Sequence, residues 1–191
     1  MTTQTLEKNS TSFSMHPKKF ALWLFIVSVI MIFASLTSAY IVRQSEGNWV
    51  QFELPAGFYF SSVLIVVSSV FMHLAYLSAK KDLFNRTQAL LLLTALSGVV
   101  FMFLQWRGWS ELVAQDIFFV GNPSGSFVYV ISGLHAVHIV SAIIFVLVVI
   151  YQSRKQMVHS KSLNSIEMCL TFWHFLGGLW LYLFLFLVLN R

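Results

Sequence analysis

The sequence has 191 residues, of which 58% are hydrophobic and only 10% are charged. A soluble domain carries about 25% charged residues, so this composition excludes a soluble protein and indicates a polytopic membrane protein. The formal net charge of +5 comes from basic residues at the ends of apolar runs rather than from one patch, which argues against a nucleic-acid partner. The only cysteine, Cys169, lies inside an apolar run, so we expect no intrachain disulfide and no cysteine metal cluster.

The chain begins with a polar segment and a first apolar run. Residues 1–15 are rich in Ser, Thr and Asn without an apolar period, which predicts a flexible tail before a membrane domain of residues 16–191. Residues 20–42 carry no charge and are long enough to cross a bilayer. This run is longer than the apolar core of a secretory signal, about 7 to 15 residues, so we expect a membrane span rather than a cleaved signal.

The second predicted span covers residues 56–79. Four serines recur in it at heptad spacing: Ser61, Ser62, Ser68 and Ser69. Small hydroxyl residues repeated in this way predict a close contact with another membrane helix. His73, near the end of this span, is interpreted as an interfacial residue rather than a ligand.

The third predicted span covers residues 87–106, and the fourth covers residues 126–151. Between them, residues 108–125 contain the sequence GNPSG, whose residue types favour turns, and we predict a loop there. The fourth span contains His135 and His138, which share one face of a helix because they are three residues apart.

The fifth predicted span, residues 164–190, carries two titratable polar side chains in an apolar run. Glu167 and His174 are seven residues apart, almost two helical turns, so they project from the same side. A charge facing lipid costs about 2.5–3.5 kcal/mol or more, so both side chains should face protein, water or lipid headgroups. Gly177 and Gly178 permit the close approach of another backbone. This side is therefore the expected functional or packing face.

The distribution of basic residues predicts the orientation. Five spans place the termini on opposite sides of the membrane, and nine of the twelve Lys and Arg residues fall on the side of the N-terminus. The positive-inside rule then places the N-terminus in the cytoplasm and the C-terminus outside. The nine are Lys8, Lys18, Lys19, Lys80, Lys81, Arg86, Arg154, Lys155 and Lys161.

The candidate functional residues are His135, His138, Glu167 and His174. At 1.5 Å per residue, the first two lie roughly 15 and 20 Å below the outer surface, so the four side chains could form one polar cluster between the last two spans. Three hypotheses follow: a haem or metal site, a proton relay, or a neutral hydrogen-bonded network that joins the two helices. His135 and His138 alone would bind a single metal ion only with added ligands.

The motifs in these spans resemble the cytochrome c oxidase subunit III family. The similar elements are SGLHAVHIVSA in span four, and Glu167 seven residues before the histidine of FWHFLGGLWLYLF in span five. FALWLFIVSVIMIF in span one, the serine-rich span two and FLQW at the end of span three also resemble the family. The similarity covers the chain after residue 16. Relative to seven-helix members, the first two helices are missing, as in shorter bacterial forms.

This resemblance implies the non-catalytic subunit III of a bacterial haem-copper cytochrome c oxidase, a proton-pumping complex of aerobic respiration. It implies no redox cofactor or metal in this chain, with haem and copper in partner subunits. The implied partners are oxidase subunit I, the other oxidase subunits and bound phospholipid in the cytoplasmic membrane. The subunit would support proton uptake and the stability of subunit I. His135, His138, Glu167 and His174 would be structural or lipid-contacting residues.

Two positions depart from the family pattern, and other functions stay open. Val29 stands where the family has a buried glutamate, and Gly177 stands where it has an aspartate, so roles tied to those carboxylates are in doubt. One alternative is the accessory subunit of a quinol oxidase or a nitric oxide reductase. An alternative of another class is an autonomous membrane haem protein or transporter; a transporter would more often show an internal repeat or broken helices, and the sequence has neither.

Overall fold

The computed structural model describes residues 17–155 and 163–190. Within these ranges the chain forms five α-helices, each long and apolar enough to cross a membrane, which confirms the predicted all-α class and the five spans. The predicted tail at residues 1–15 lies outside the described residues. The helices are α1 (Pro17–Ser45), α2 (Ala56–Lys80), α3 (Phe84–Ala114), α4 (Pro123–Arg154) and α5 (Asn164–Leu189).

The segment between α3 and α4 differs from the prediction. Helix α3 continues past residue 106 to Ala114, because the helical face carrying Leu112 still packs in the core, where this side chain is fully buried. Helix α4 begins early, at Pro123, because the Asn122 side chain accepts a hydrogen bond from the backbone N–H of Ser124 at 3.0 Å. The predicted loop of residues 108–125 is therefore confined to residues 115–122.

Four of the helices form a ring, and α1 lies outside it. Helix α2 packs between α3 and α5, and α4 closes the ring by packing on both of these. Helix α1 packs on α4 and α5 and, in the described part of the chain, does not approach α2 or α3. One face of α5 is therefore left open between α1 and α2.

Helix α1 runs parallel to α5 and is hydrogen-bonded to it near both ends. At one end, Lys19 donates to the Glu167 carboxylate at 2.7 Å. At the other end, the Tyr40 hydroxyl and the Gln44 amide donate to the Asn190 carbonyl at 3.0 and 2.8 Å. These contacts hold a peripheral helix in register.

Helix α2 is joined to its neighbours through its serines. The indole N–H groups of Trp173 and Trp180 on α5 donate to the hydroxyls of Ser68 and Ser62, at 3.1 and 3.0 Å. The Gln105 amide on α3 donates to the Ser61 hydroxyl at 2.9 Å. Interhelical hydrogen bonds in membrane proteins contribute about 0.6 kcal/mol on average and up to about 1.7. The prediction that the serine repeat marks close helix contacts is confirmed for these three serines.

Helices α2 and α3 approach each other closely at Gly57. A Cβ atom there would lie 2.9 Å from the Leu104 carbonyl oxygen and 3.3 Å from the Gly108 backbone nitrogen. Both neighbours are backbone atoms, so a side chain at this position would push the helices apart.

We expect Gly57→Ala to destabilise the protein by about 1–3 kcal/mol, because the added methyl group overpacks a backbone contact. The measurement is thermal unfolding of the purified protein in detergent. Gly178→Ala is the matched control, since a Cβ atom there meets nothing within 4 Å. Equal melting temperatures for the two variants would contradict this account of the α2–α3 contact.

Candidate functional site

His135 lies in the interior of the bundle among aromatic rings. Its ring centroid is 5.2 Å from that of Trp180, 5.9 Å from Phe101 and 6.2 Å from Phe33. The side chain is 0% exposed, and neither ring nitrogen has a hydrogen-bond partner. His135 is therefore an aromatic packing element at the meeting point of α1, α3, α4 and α5.

His138 lies one turn further along α4 and faces α1. Its Nδ1 is 2.7 Å from the Leu134 carbonyl oxygen of its own helix. The ring packs on Phe33 and Phe25, with centroids 5.7 and 6.2 Å away. Since its hydrogen bond stays within α4, His138 contributes to the α1–α4 contact through ring packing.

Glu167 lies in the first turn of α5 and joins three helices. One carboxylate oxygen accepts from Lys19 on α1 at 2.7 Å, and the other accepts from the Tyr76 hydroxyl on α2 at 3.4 Å. Both members of the ion pair are about one-third exposed, at 35% and 33%. A carboxylate at a helix N-terminus is also favoured by the helix dipole. Glu167 therefore connects the ends of the two helices that flank the open face of α5.

His174 lies two turns further along α5, on the same side as Glu167. It is half-buried, and its ring centroid is 6.1 Å from that of His73 on α2, which is exposed. The structure thus places beside His174 a histidine that the sequence assigned to the membrane interface.

The expected single polar cluster is not formed. Among the described residues, no hydrogen bond or ion pair joins any two of His135, His138, Glu167 and His174. The reason is the rotation of α5: it turns Trp180 toward His135, whereas Glu167 and His174 face the side of α2. The four residues divide into a pair on α4, of which His135 is fully buried and His138 half-buried, and an outer pair on α5.

Sequence reasoning missed two residues that contact Glu167. Lys19 and Tyr76 are the partners of Glu167, and both lie near helix ends at the same level as its carboxylate. The predicted topology already placed the start of span one, the end of span two and the start of span five on one side. A search for charge and hydroxyl partners at that level would have found them.

The similarity to known proteins covers almost the whole chain. The profile of the family described as Cytochrome c oxidase subunit III matches residues 1–190. The chain belongs to the cytochrome c oxidase subunit III family. It is therefore a subunit III of the haem-copper oxidase type.

Individual relatives come from different oxidases. The chain is 26% identical to cytochrome bo(3) ubiquinol oxidase subunit 3 of Buchnera aphidicola subsp. Acyrthosiphon pisum, covering 91% of this chain and 86% of that protein. It is 26% identical to cytochrome c oxidase subunit 3 of Synechocystis sp., covering 91% and 77%. It is also 26% identical to the heme-copper oxidase subunit I+III of Aeropyrum pernix, covering 65% of this chain and 16% of that protein.

The structure of this subunit III explains the departure at Gly177. A Cβ atom at this position would lie 3.2 Å from the Ser69 hydroxyl oxygen and 3.5 Å from a side-chain carbon of Ile65. A side chain at this position therefore requires the Ser69 hydroxyl to move by a few tenths of an ångström, which glycine avoids. At the other departure, Val29 is buried in the core at 1% exposure, where an apolar side chain needs no polar partner.

The described residues place no grouped set of metal ligands around the two histidines of α4. Both nitrogens of His135 are covered by neighbouring atoms, and one nitrogen of His138 faces the Leu134 carbonyl. Over residues 17–155 and 163–190, no three His, Cys, Asp or Glu side chains are grouped so that they could hold one metal ion. A centre built on these residues would require repacking of the aromatic interior.

We expect His135→Leu to leave the thermal stability unchanged or higher. The substitution removes two buried nitrogens that have no partner, and each such group costs about 1–3 kcal/mol. The measurement is the melting temperature of the purified protein, with Trp180→Phe as a control that loses the hydrogen bond to Ser62 and should melt lower. A fall for His135→Leu as large as for the control would contradict the account that both ring nitrogens are unpaired.

We expect the Lys19–Glu167 pair to couple by about 0.5–1 kcal/mol, because both side chains are partly exposed. The measurement is a double-mutant cycle of Lys19→Met and Glu167→Gln, by reversible unfolding in mixed micelles. Glu167→Gln alone should leave the chain folded and assembled, since Tyr76 can still donate to the amide oxygen. Loss of the folded chain in that single variant would show that the carboxylate is structurally required.

Proposed function

We propose that the chain is the non-catalytic subunit III of a bacterial haem-copper cytochrome c oxidase. The complex passes electrons from cytochrome c to oxygen and pumps protons, and this subunit supports subunit I and its proton uptake. The observation that carries the proposal is the family match over residues 1–190. The relatives of Synechocystis sp. and of Bacillus sp. strain PS3, named cytochrome c oxidase subunit 3, support the choice of oxidase.

The non-catalytic role is supported by the chemistry of the interior. His135 is enclosed by aromatic rings, and His138 is bonded within its own helix. The haem and copper of the complex therefore belong to partner subunits in this proposal. When bound there, they supply the redox chemistry, and the residues of this chain supply packing, orientation and a scaffold for the partner.

Subunit I is the proposed direct partner. The relative of Aeropyrum pernix carries both subunits in its name, heme-copper oxidase subunit I+III, which supports an adjacent position for the two. The open face of α5 between α1 and α2 also supports contact with another membrane protein.

We place the chain in the bacterial cytoplasmic membrane, with its N-terminus in the cytoplasm and its C-terminus outside. The excess of basic residues on the N-terminal side supports this orientation. Phospholipid is a further proposed ligand. A cleft at the same end combines the Lys18 ammonium and the Gln152 and Ser165 side chains with apolar walls from Leu22 and Phe145, which suits a headgroup above its acyl chains.

A quinol oxidase is the second candidate. The specific observation in its favour is that relatives from Buchnera aphidicola and Pseudomonas aeruginosa are named cytochrome bo(3) ubiquinol oxidase subunit 3, at 26% and 28% identity. Identity to the two classes is similar, so identity alone does not separate the two donors.

The test is purification in mild detergent through a tag on this chain, followed by an optical spectrum and identification of the co-purifying proteins. We expect haem absorbance, a large multi-helix partner, and oxygen consumption that is driven by reduced cytochrome c. Oxygen consumption driven only by quinol would establish the second candidate. A chain that arrives alone with stoichiometric haem would overturn both.

A further inference from the structure

Two histidines at membrane depth lie beside the open face of α5, His174 on α5 itself and His73 on α2. We call the histidine seam the strip formed by Ser69 and His73 on α2 with Thr171, His174 and Gly178 on α5. At 1.5 Å per residue, His73 lies roughly 10 Å from the Lys80 end of α2, and His174 roughly 15 Å from the Asn164 end of α5. With α2 and α5 centred across a bilayer about 30 Å thick, both imidazoles would lie within its hydrocarbon region, which for His73 is deeper than the interfacial position predicted from the sequence.

These imidazoles have no polar partner inside the described chain. The two rings face each other with centroids 6.1 Å apart, and neither makes a hydrogen bond with residues 17–155 or 163–190. His73 is exposed and His174 is half-buried, so both reach the surface of the bundle. Acyl chains offer no hydrogen-bond acceptor, and an unsatisfied polar group in lipid costs several kcal/mol.

The outer row of α3 provides the comparison. It consists of exposed apolar side chains, which lipid can cover without leaving a polar group unpaired: Leu92, Leu96, Val99 and Phe103. The histidine seam is chemically different from this row. Its imidazoles would gain a hydrogen bond from a neighbouring helix that brings an acceptor, whereas acyl chains offer none.

The α5 surface of the histidine seam also leaves room for a neighbouring helix at Gly178. Gly178 is exposed, and a Cβ atom at this position would meet nothing within 4 Å. A glycine floor lets the backbone of a neighbouring helix approach closely, and the gain from such packing is what associates helices in membranes. Helices α1 and α2 form the two walls, and Glu167 holds them together at one end through Lys19 and Tyr76.

We infer that the histidine seam receives one membrane-spanning helix of the catalytic subunit, which brings a hydrogen-bond acceptor to the level of His73 and His174. The inference rests on the proposed function and adds to it the surface and the chemistry of the contact. The helix lies along α5 between α1 and α2, with its backbone over Gly178.

The first test is photo-crosslinking of the complete complex in its native membrane. Benzoylphenylalanine replaces Val66, which is 47% exposed and lies two turns from His73 on the same side of α2, or Val100 on the outer face of α3, which is 48% exposed. We expect Val66→benzoylphenylalanine to link to a transmembrane peptide of the haem-containing subunit and Val100→benzoylphenylalanine to link to lipid. If benzoylphenylalanine at residue 66 forms adducts only with lipid, or with a second copy of this chain, the inference is overturned.

The second test uses substitutions and the purified complex. Loss of both imidazoles in the His73→Leu, His174→Leu double variant should raise the fraction of the chain released by detergent about three- to tenfold, as expected for interhelical hydrogen bonds. Gly178→Leu should release the chain more completely without lowering the melting temperature of the isolated chain. Val137→Leu, on an exposed apolar position of α4, is the matched control and should leave retention unchanged.

The outcomes separate the inference from the proposed function. If the unmodified chain brings down no haem-containing partner, the proposed function fails. If it brings down that partner, and the double-histidine and Gly178→Leu variants are retained like Val137→Leu, the function stands and the histidine seam is not the docking surface.

Discussion

A polar side chain inside a bilayer is stabilised by a partner in the protein, and in this chain helix α5 supplies many of those partners. The indole groups of Trp173 and Trp180 reach the hydroxyls of Ser68 and Ser62, which fixes α5 against α2 at two levels. Helix α3 is also bonded to α2, because the Gln105 amide donates to the Ser61 hydroxyl. Small serines allow the close approach, and the long side chains that bond to them set the register. The ring of α2 to α5 depends on this arrangement.

The position of α1 follows from what that ring leaves available. Helix α1 is bonded to α5 near its two ends, through Lys19 and Glu167 at one and through Tyr40 and Asn190 at the other. Between these ends it packs on His138 through aromatic rings. Because α1 packs on the α4 side of α5, the opposite side of α5 stays open. A subunit of a larger membrane complex can present such a face to its partner as a preformed groove.

Hydropathy and spacing predicted much of the fold, because both depend on short stretches of sequence. Five apolar runs gave five helices, and the serine repeat of α2 predicted its close contacts. The predicted end of α3 was wrong. Gly108 and Glu111 are residue types that are common in loops, but the helix continues past them because Leu112 still packs in the core. The polar cluster was wrong for a deeper reason. Spacing shows which residues share a face of one helix, but the neighbour that this face meets is set by the packing of all five helices. His135 meets Trp180 instead of Glu167 or His174.

The measurement that tests this account most directly is a cryo-electron microscopy map of the purified complex in lipid nanodiscs. The account predicts the indole–serine contacts between α5 and α2 inside the subunit. It also predicts a helix of the haem-containing subunit along the open face of α5, with its backbone over Gly178 and an acceptor near His73 and His174. Continuous acyl-chain density along that face, with the catalytic subunit bound to the outer row of α3, would contradict it.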